Sequence, residues 1–114
     1  MEYVSVQDVI RRENSPSCIV LEYATKNTEI NIAVAEMTGR YPDEGYAVNQ
    51  ACTEMAYVLK GQGKLVLENQ SVNLSVGDVV LIPRGEKYYW EGDMTVLLPV
   101  SPAWHPEQHV TNVE

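Results

Sequence analysis

The sequence predicts an all-β fold, a closed β-barrel or jelly roll with a short N-terminal helix. Short runs rich in valine, isoleucine, leucine and tyrosine follow one another along most of the chain, and turn-forming residues separate nearly all of them. No helical stretch lies between these runs, as a βαβ architecture would require. The 114 residues suffice for one domain. We expect its barrel core at about residues 18–100 and a C-terminal tail at residues 101–114.

The N-terminal helix is predicted from a capping pattern. Ser5 and Asp8 have the spacing of a helix N-terminal box with Asp in place of Glu, and Arg11 and Arg12 stand where cations suit a closing turn. After a break at residues 14–17, the predicted strands are Cys18 to Thr25, Glu29 to Met37, Tyr46 to Asn49, Glu54 to Lys60, Lys64 to Glu68, Ser71 to Leu74, Val79 to Ile82, Tyr88 to Glu91 and Met94 to Val100.

Turns and the tail complete the predicted layout. Residues 68–70 indicate a tight hairpin, and residues 76–78 indicate the turn before the next strand. Ile30 to Met37 alternates strictly, which predicts a strand with one buried face. Pro102 and Pro106 predict that the tail leaves the sheet and lies across the surface or a barrel mouth.

Composition excludes several classes of function. A net charge of −8 and a pI near 4.6 argue against a nucleic-acid partner, which needs Lys and Arg against its phosphates. No stretch approaches the roughly 20 apolar residues that cross a bilayer, so we expect no membrane partner. The N-terminus has neither a basic segment nor an apolar signal core, which predicts a cytoplasmic protein. The two cysteines are too few for a disulfide scaffold and are predicted to be reduced.

Two glycine-containing patterns are the most specific features of the chain. Gly77, Pro83 and Gly85 have the spacing G-x5-P-x-G, and six residues separate Glu54 from Gly61. These patterns resemble the two motifs of the cupin superfamily, G-x5-H-x-H-x3,4-E-x6-G and G-x5-P-x-G-x2-H-x3-N. The resemblance covers about residues 38–100 and implies a cupin-type β-barrel, a double-stranded β-helix.

The chain departs from these motifs where they supply metal ligands. Tyr88 stands at the position of the second-motif histidine. The first-motif histidines are replaced by Val48 and Gln50, or by Ala47 and Asn49, depending on the spacer length. Amide and phenol groups select poorly for transition metals, so we predict no metal and no cofactor.

Glu54 and Tyr88 are the candidate catalytic residues. The resemblance implies that Glu54 points into the barrel, and carboxylates are rarely buried unless they are paired or functional. A desolvated carboxyl group has a raised pKa and can act as a general acid or base near neutral pH. The Tyr88 hydroxyl either donates a hydrogen bond to a ligand or fills the space of the missing metal.

Three further residues are candidate ligand-binding residues. Trp90 shares a strand face with Tyr88, so the two are expected to form an aromatic wall. Gln50 and Cys52 have the parity of Glu54, so in an uninterrupted strand they would point into the same cavity, although a bulge would change this.

The two histidines of the tail have the four-residue spacing of a metal pair on a helix. Pro102 and Pro106 interrupt the segment, and nothing else indicates a site. We therefore interpret His105 and His109 as surface residues.

Two functions remain open, with a third less favoured. The first is a binding module that holds a small molecule, such as a sugar or an organic acid, in the barrel mouth. The second is a metal-free isomerase or epimerase in which Glu54 and Tyr88 transfer protons. The third is a metal-dependent cupin enzyme with replaced ligands. We also expect a homodimer, with Cys18 to Tyr23 and Ile30 to Met37 forming a two-fold interface.

Overall fold

Nine antiparallel strands form one curled sheet, which confirms the predicted all-β fold. The computed structural model describes residues 1–114. The strands are β1 (Ile10–Ser15), β2 (Cys18–Tyr23), β3 (Asn31–Tyr41), β4 (Tyr46–Asn49), β5 (Thr53–Leu67), β6 (Ser71–Ser75), β7 (Val79–Ile82), β8 (Lys87–Ser101) and β9 (His109–Val113). No helix in this fold has the length and apolar character to cross a membrane.

Strand β8 organises the sheet, because it pairs with β3, β4 and β5. On one side the order runs β1-β2-β3-β8-β4-β9, while β5 adds β6 and β7 on the other. Cavity-facing residues alternate with outward residues along β2, β3 and β8, and the predicted alternation of residues 30–37 is confirmed by the buried Ala35 and Met37. One face of these strands therefore forms the inside of the barrel.

Gly61 and Gly63 lie inside strand β5, and Gly92 lies inside strand β8, where the sequence predicted breaks between shorter strands. Strands β5 and β8 each continue for 15 residues through them. Gly63 lies opposite Gly92, and a Cβ added to Gly61 would meet the Asp93 carbonyl oxygen at 2.1 Å. These glycines allow two backbones to approach each other closely where the strands bend.

The prediction of an N-terminal helix is wrong. Val6–Asp8 forms a single 3-10 turn, capped by the Ser5 hydroxyl, which accepts a hydrogen bond from the Gln7 N–H. The segment that follows is strand β1, which pairs with β2 through a hairpin turn at Pro16. A helix of this length is marginal by itself, whereas the ladder to β2 satisfies the same backbone groups.

The tail leaves the sheet at residues 102–108, as predicted, and Trp104 lines the cavity, but the chain then returns to the sheet, which the sequence did not predict. Pro106–Gln108 forms a 3-10 turn, and β9 then pairs with β4. Strand β2 is likewise paired on both sides within the chain, by β1 and β3. An interface through strands β2 and β3 would therefore use their faces and not a free edge, and the homodimer stays a prediction.

The two predicted turns are confirmed. The hairpin after Leu67 closes through a hydrogen bond of 2.8 Å from the Leu67 N–H to the Gln70 carbonyl. In the turn between β6 and β7, Asp78 accepts a hydrogen bond of 2.8 Å from the Ser75 N–H. Both turns lie on the β5-β6-β7 side of the barrel, so they shape the scaffold and not the cavity.

Candidate functional site

The inside of the barrel holds a cavity of about 250 Å³. Strands β2, β3 and β8 form most of its wall, and six residues outside them complete it: Asn14, Ala24, Thr25, Glu54, Trp104 and His109. Of the 20 lining residues 14 are hydrophobic, and none is a lysine or an arginine. An apolar pocket with a few converging polar groups is the usual form of a small-molecule site.

Glu54 lies at the start of β5, facing this cavity, with 6% of its surface exposed. Burial raises the pKa of its carboxyl group to about 7, and a hydrogen bond from Asn49 acts in the opposite direction. The Asn49 Nδ2 atom donates to Glu54 Oε2 at 2.8 Å. Because no cation lies among the lining residues, Glu54 has no ion-pair partner and can hold a proton at neutral pH.

Tyr88 and Trp90 line the cavity side by side, which confirms that they share one face of β8. Both are buried, and their rings meet edge to face with centroids 6.3 Å apart. Tyr89 faces the other way, with the Arg40 guanidinium 3.9 Å above its ring. The Tyr88 hydroxyl lies 3.4 Å from Asn49 Nδ2. Burial, with the nearby Glu54 charge, raises the pKa of Tyr88 well above its usual value, so this phenol stays protonated.

Gln50 and Cys52 do not line the cavity, so their predicted placement is wrong. Strand β4 ends at Asn49 and β5 begins at Thr53, and the intervening bend breaks the parity that would have aligned them with Glu54. Gln50 is exposed, whereas Cys52 is fully buried outside the cavity with its Sγ 4.0 Å from the Ala103 carbonyl oxygen. Asn49 does not line the cavity either, but it is buried and contacts Glu54.

His109 is a cavity residue and not a surface residue, contrary to the sequence prediction. Its Nε2 lies 2.9 Å from the Tyr41 hydroxyl, and its Nδ1 lies 2.8 Å from Asn49 Oδ1. Strand β9 places it there by pairing with β4. Burial lowers the pKa of His109, which favours the neutral imidazole. His105 is exposed as predicted and pairs with Glu107.

Trp104 joins the tail to the cavity mouth. Its backbone N–H donates to Asn31 Oδ1 at 3.2 Å, and its indole lies 5.7 Å from the His109 ring, centroid to centroid. Tyr41, Trp104 and His109 thus add an aromatic group that the sequence patterns did not reveal.

Cys18 is a cavity residue without the properties of a nucleophile. Burial, with a smaller contribution from Glu54, raises the pKa of its thiol to about 12. The thiolate is the reactive form, so Cys18 contributes to the cavity as a small apolar group.

The residues present do not fit the metal centre that the cupin motifs imply. No three His, Cys, Asp or Glu side chains in the chain come together in a group that could hold an ion. Glu54 contacts an amide, and both ring nitrogens of His109, the one imidazole of the cavity, already have hydrogen-bond partners. Metal sites in proteins need three or four converging donors, which this cavity does not offer.

Comparisons with solved structures give the same architecture. The chain superposes on the nucleoside dehydratase Pac13 of Streptomyces with a TM-score of 0.85 and 18% identity, covering 96% of this chain and 89% of that one. A protein from Planctomyces limnophilus gives 0.80 at 17% identity, covering 96% and 95% of the two chains. KdgF from Halomonas sp. gives 0.68 at 18% identity, covering 89% and 94%. These identities show the fold alone.

A family model places the chain more directly. No curated protein matches it. The model that describes the cupin domain matches residues 42–99, which is more than half of the chain and includes Glu54, Tyr88 and Trp90. This match and the architecture agree with the two sequence motifs, and the chain belongs to the cupin family.

Proposed function

We propose that this cupin binds an uncharged small organic molecule in its cavity and catalyses proton transfer on it, with Glu54 as the acid–base residue. The observation that carries this proposal is the carboxyl group of Glu54. This group faces the cavity, and burial raises its pKa to about 7. General acid–base catalysis is most efficient when the pKa of the group lies near the working pH. Of the functions predicted from the sequence, this is closest to the metal-free isomerase.

The charge of the cavity favours a neutral ligand. Glu22 lines it but is already paired with Arg12 at 2.7 Å, Glu54 can hold a proton, and no lysine or arginine lines the cavity. An anionic ligand would lose its hydration shell without gaining a cation, which is costly. Neutral sugars, hydroxyketones and nucleosides therefore fit better than the organic acids that the sequence left open, and better than phosphorylated compounds.

The size and lining of the cavity favour a ligand with a ring or several hydroxyl groups. Its volume of about 250 Å³ lies just below the range of about 300–1,000 Å³ that is usual for small-molecule sites. Tyr41, Trp90 and Trp104 offer ring faces and edges for apolar contact. The structural neighbour Pac13 is a nucleoside dehydratase, and three of its variants were solved with uridine. Dehydration is itself a proton-transfer reaction, so this neighbour supports the proposed class.

Tyr88 has a supporting role next to Glu54. The same Asn49 nitrogen lies within hydrogen-bond distance of both side chains. Because Tyr88 stays protonated, its hydroxyl can donate a hydrogen bond to a ligand oxygen while Glu54 exchanges a proton with the ligand.

Hydrogen–deuterium exchange tests the proposal. The purified protein is incubated in D2O with the neutral hydroxyketones dihydroxyacetone, erythrulose and fructose, and loss of the C–H signals is followed by proton NMR. We expect catalysed exchange for at least one probe, and a decrease of about 100-fold or more in Glu54→Gln, which keeps the shape but cannot carry the proton. Glu36→Gln, on the outward face of β3, is the matched control and should exchange normally.

Two results would contradict the proposal. If Glu54→Gln exchanges as fast as the unchanged protein, Glu54 is not the acid–base residue. If the protein binds these probes or uridine saturably but exchanges no proton, it is a binding module and the catalytic proposal is wrong.

A further inference from the structure

A chain of hydrogen bonds links Glu54 to the tail and has a fixed direction. It begins at the backbone N–H groups of Ala51 and Cys52, which donate to Gln108 Oε1 at 3.1 and 3.3 Å. The Gln108 amide is thereby oriented, because its oxygen must face these two donors. Its Nε2 then donates to Asn49 Oδ1 at 3.0 Å.

The orientation of Gln108 determines that of Asn49. Because Asn49 Oδ1 accepts from Gln108, its Nδ2 must face Glu54, to which it donates. The same Oδ1 faces His109 Nδ1, so this ring nitrogen must carry the hydrogen. Every buried side-chain nitrogen and oxygen atom of the protein has a hydrogen-bond partner. The series of hydrogen bonds from Gln108 to Glu54 is therefore complete.

This order leaves His109 Nε2 as an acceptor. A neutral imidazole carries one ring hydrogen, and Nδ1 holds it. The Tyr41 hydroxyl, 2.9 Å away, must therefore donate to Nε2. The Tyr41 oxygen also accepts a hydrogen bond from the Asn14 side chain, and its remaining lone pair lies on a residue that lines the cavity. The Tyr41 oxygen can therefore accept a proton from a ligand, because its own proton is already hydrogen-bonded to His109 Nε2.

We propose that Tyr41 and His109 form a second acid–base pair in this cavity, in which Tyr41 takes a proton from the ligand as it passes its own proton to His109. The inference rests on the proposed function and adds the partner that proton transfer by Glu54 requires. Tyr41 is the catalytic residue that meets the ligand, and His109 accepts the proton through it. Asn49 and Gln108 are positioning residues.

The protons and electrons of the step balance for a hydroxyketone. The C–H bond next to the carbonyl breaks, its proton goes to Tyr41, and the Tyr41 proton goes to His109 Nε2. The electron pair forms the enol double bond, while protonated Glu54 gives its proton to the carbonyl oxygen. The ligand has lost one proton and gained one, leaving His109 as imidazolium and Glu54 as carboxylate. Proton return through product or solvent restores both groups.

Asn49 stabilises both charges that this step creates. Its Oδ1 accepts from His109 Nδ1, and this bond strengthens when the ring becomes cationic. Its Nδ2 donates to Glu54, and that bond strengthens when the carboxyl group becomes anionic. One amide therefore supports the charge-separated state from both ends.

Nitrogen NMR tests the arrangement without any ligand. The chain has only two histidines, so His105→Gln leaves His109 as the only imidazole in a ¹⁵N-histidine-labelled protein. We expect a neutral ring with its hydrogen on Nδ1 at pH 7. Tyr41→Phe should retain this tautomer and shift only the Nε2 resonance, because Nε2 loses its donor. A ring with its hydrogen on Nε2 would overturn the pair.

Exchange kinetics then test the role of the pair with the same hydroxyketone probes. Tyr41→Phe and His109→Gln should each lower the exchange rate by about 10-fold or more. The double variant should be no slower than the worse single variant, because residues acting as a unit are not additive. Tyr46→Phe, which replaces a tyrosine outside the cavity, should exchange normally.

The outcomes separate the two proposals. Full exchange in both single variants, with loss in Glu54→Gln, would overturn the pair and leave the proposed function intact. No exchange in the unchanged protein would overturn both. Unchanged ¹H–¹⁵N amide spectra of the variants show that a loss of exchange does not come from unfolding.

Discussion

The middle and the ends of this chain contribute to the cavity in different ways. The middle, residues 42–99, carries the cupin motifs and supplies Glu54, Tyr88 and Trp90. The ends supply β2 and β3, which form much of the cavity wall, together with Trp104 and His109. Glycines and turns at fixed spacing shape the middle, whereas hydrogen bonds from the tail orient its polar groups. In this molecule, then, the middle supplies the candidate acid–base residue, and the tail orients the amide that contacts it.

A glycine-to-alanine pair tests how strictly the middle depends on its glycines. Gly61 has φ of +77°, and a Cβ there would meet the Asp93 carbonyl oxygen at 2.1 Å. We expect Gly61→Ala to lower the free energy of unfolding by about 5 kcal/mol, because two backbones must separate. Urea denaturation measures the change.

Gly85 is the matched control, since its φ of +84° is similar but nothing lies within 4 Å of an added Cβ. Gly85→Ala should cost only about 1 kcal/mol, the strain of a left-handed backbone. Equal losses in the two variants would show that the close approach of β5 and β8 does not matter to stability.

A pair of glutamine variants tests the contribution of the tail. Gln108→Leu removes the acceptor of two backbone N–H groups and the donor to Asn49. We expect a loss of about 4 kcal/mol in the free energy of unfolding, because several buried polar groups lose their partners. Gln50→Leu, at an exposed position nearby, should change it by about 0.5 kcal/mol or less. A loss in Gln108→Leu as small as in Gln50→Leu would mean that the tail does not hold the site together.

The sequence predicted the middle better than the ends for a physical reason. Strand alternation and motif spacing are local signals, so the turns at residues 68–70 and 76–78 and the shared face of Tyr88 and Trp90 were predicted correctly. The glycines inside β5 and β8 were interpreted as strand ends. Glycine is favoured both in turns and where two backbones approach each other closely, so the sequence does not distinguish the two cases.

The tail and the bend before β5 were harder to predict. Residues 109–113 contain β-type residues, Val110, Thr111 and Val113, but the two prolines before them suggested that the sheet had ended. The bend at residues 50–52 reverses the parity that had placed Gln50 in the cavity. Which strand β9 joins depends on contacts distant in sequence, and no local pattern contains that information.

Glu54 belongs to the middle of the chain and is linked to the tail through Asn49 and Gln108. Its protonation makes the stability of the fold depend on pH. The carboxyl pKa rises from 4.5 to about 7 on folding, so the folded state binds the proton more tightly. The free energy of unfolding should therefore fall by about 3 kcal/mol as pH rises from about 4.5 to 7, and this part of the pH dependence should be absent in Glu54→Gln. His109 contributes in the opposite direction at lower pH, and the comparison with Glu54→Gln cancels its effect.

A ¹³C NMR titration of the Glu54 carboxyl carbon, assigned by difference from Glu54→Gln, tests the central claim most directly. A midpoint near pH 7 is the result expected for a buried carboxyl group that carries a proton at neutral pH. A midpoint near 4.5, the ordinary value for glutamate, would show that the group is ionised in the cavity and would contradict its assignment as the acid–base residue.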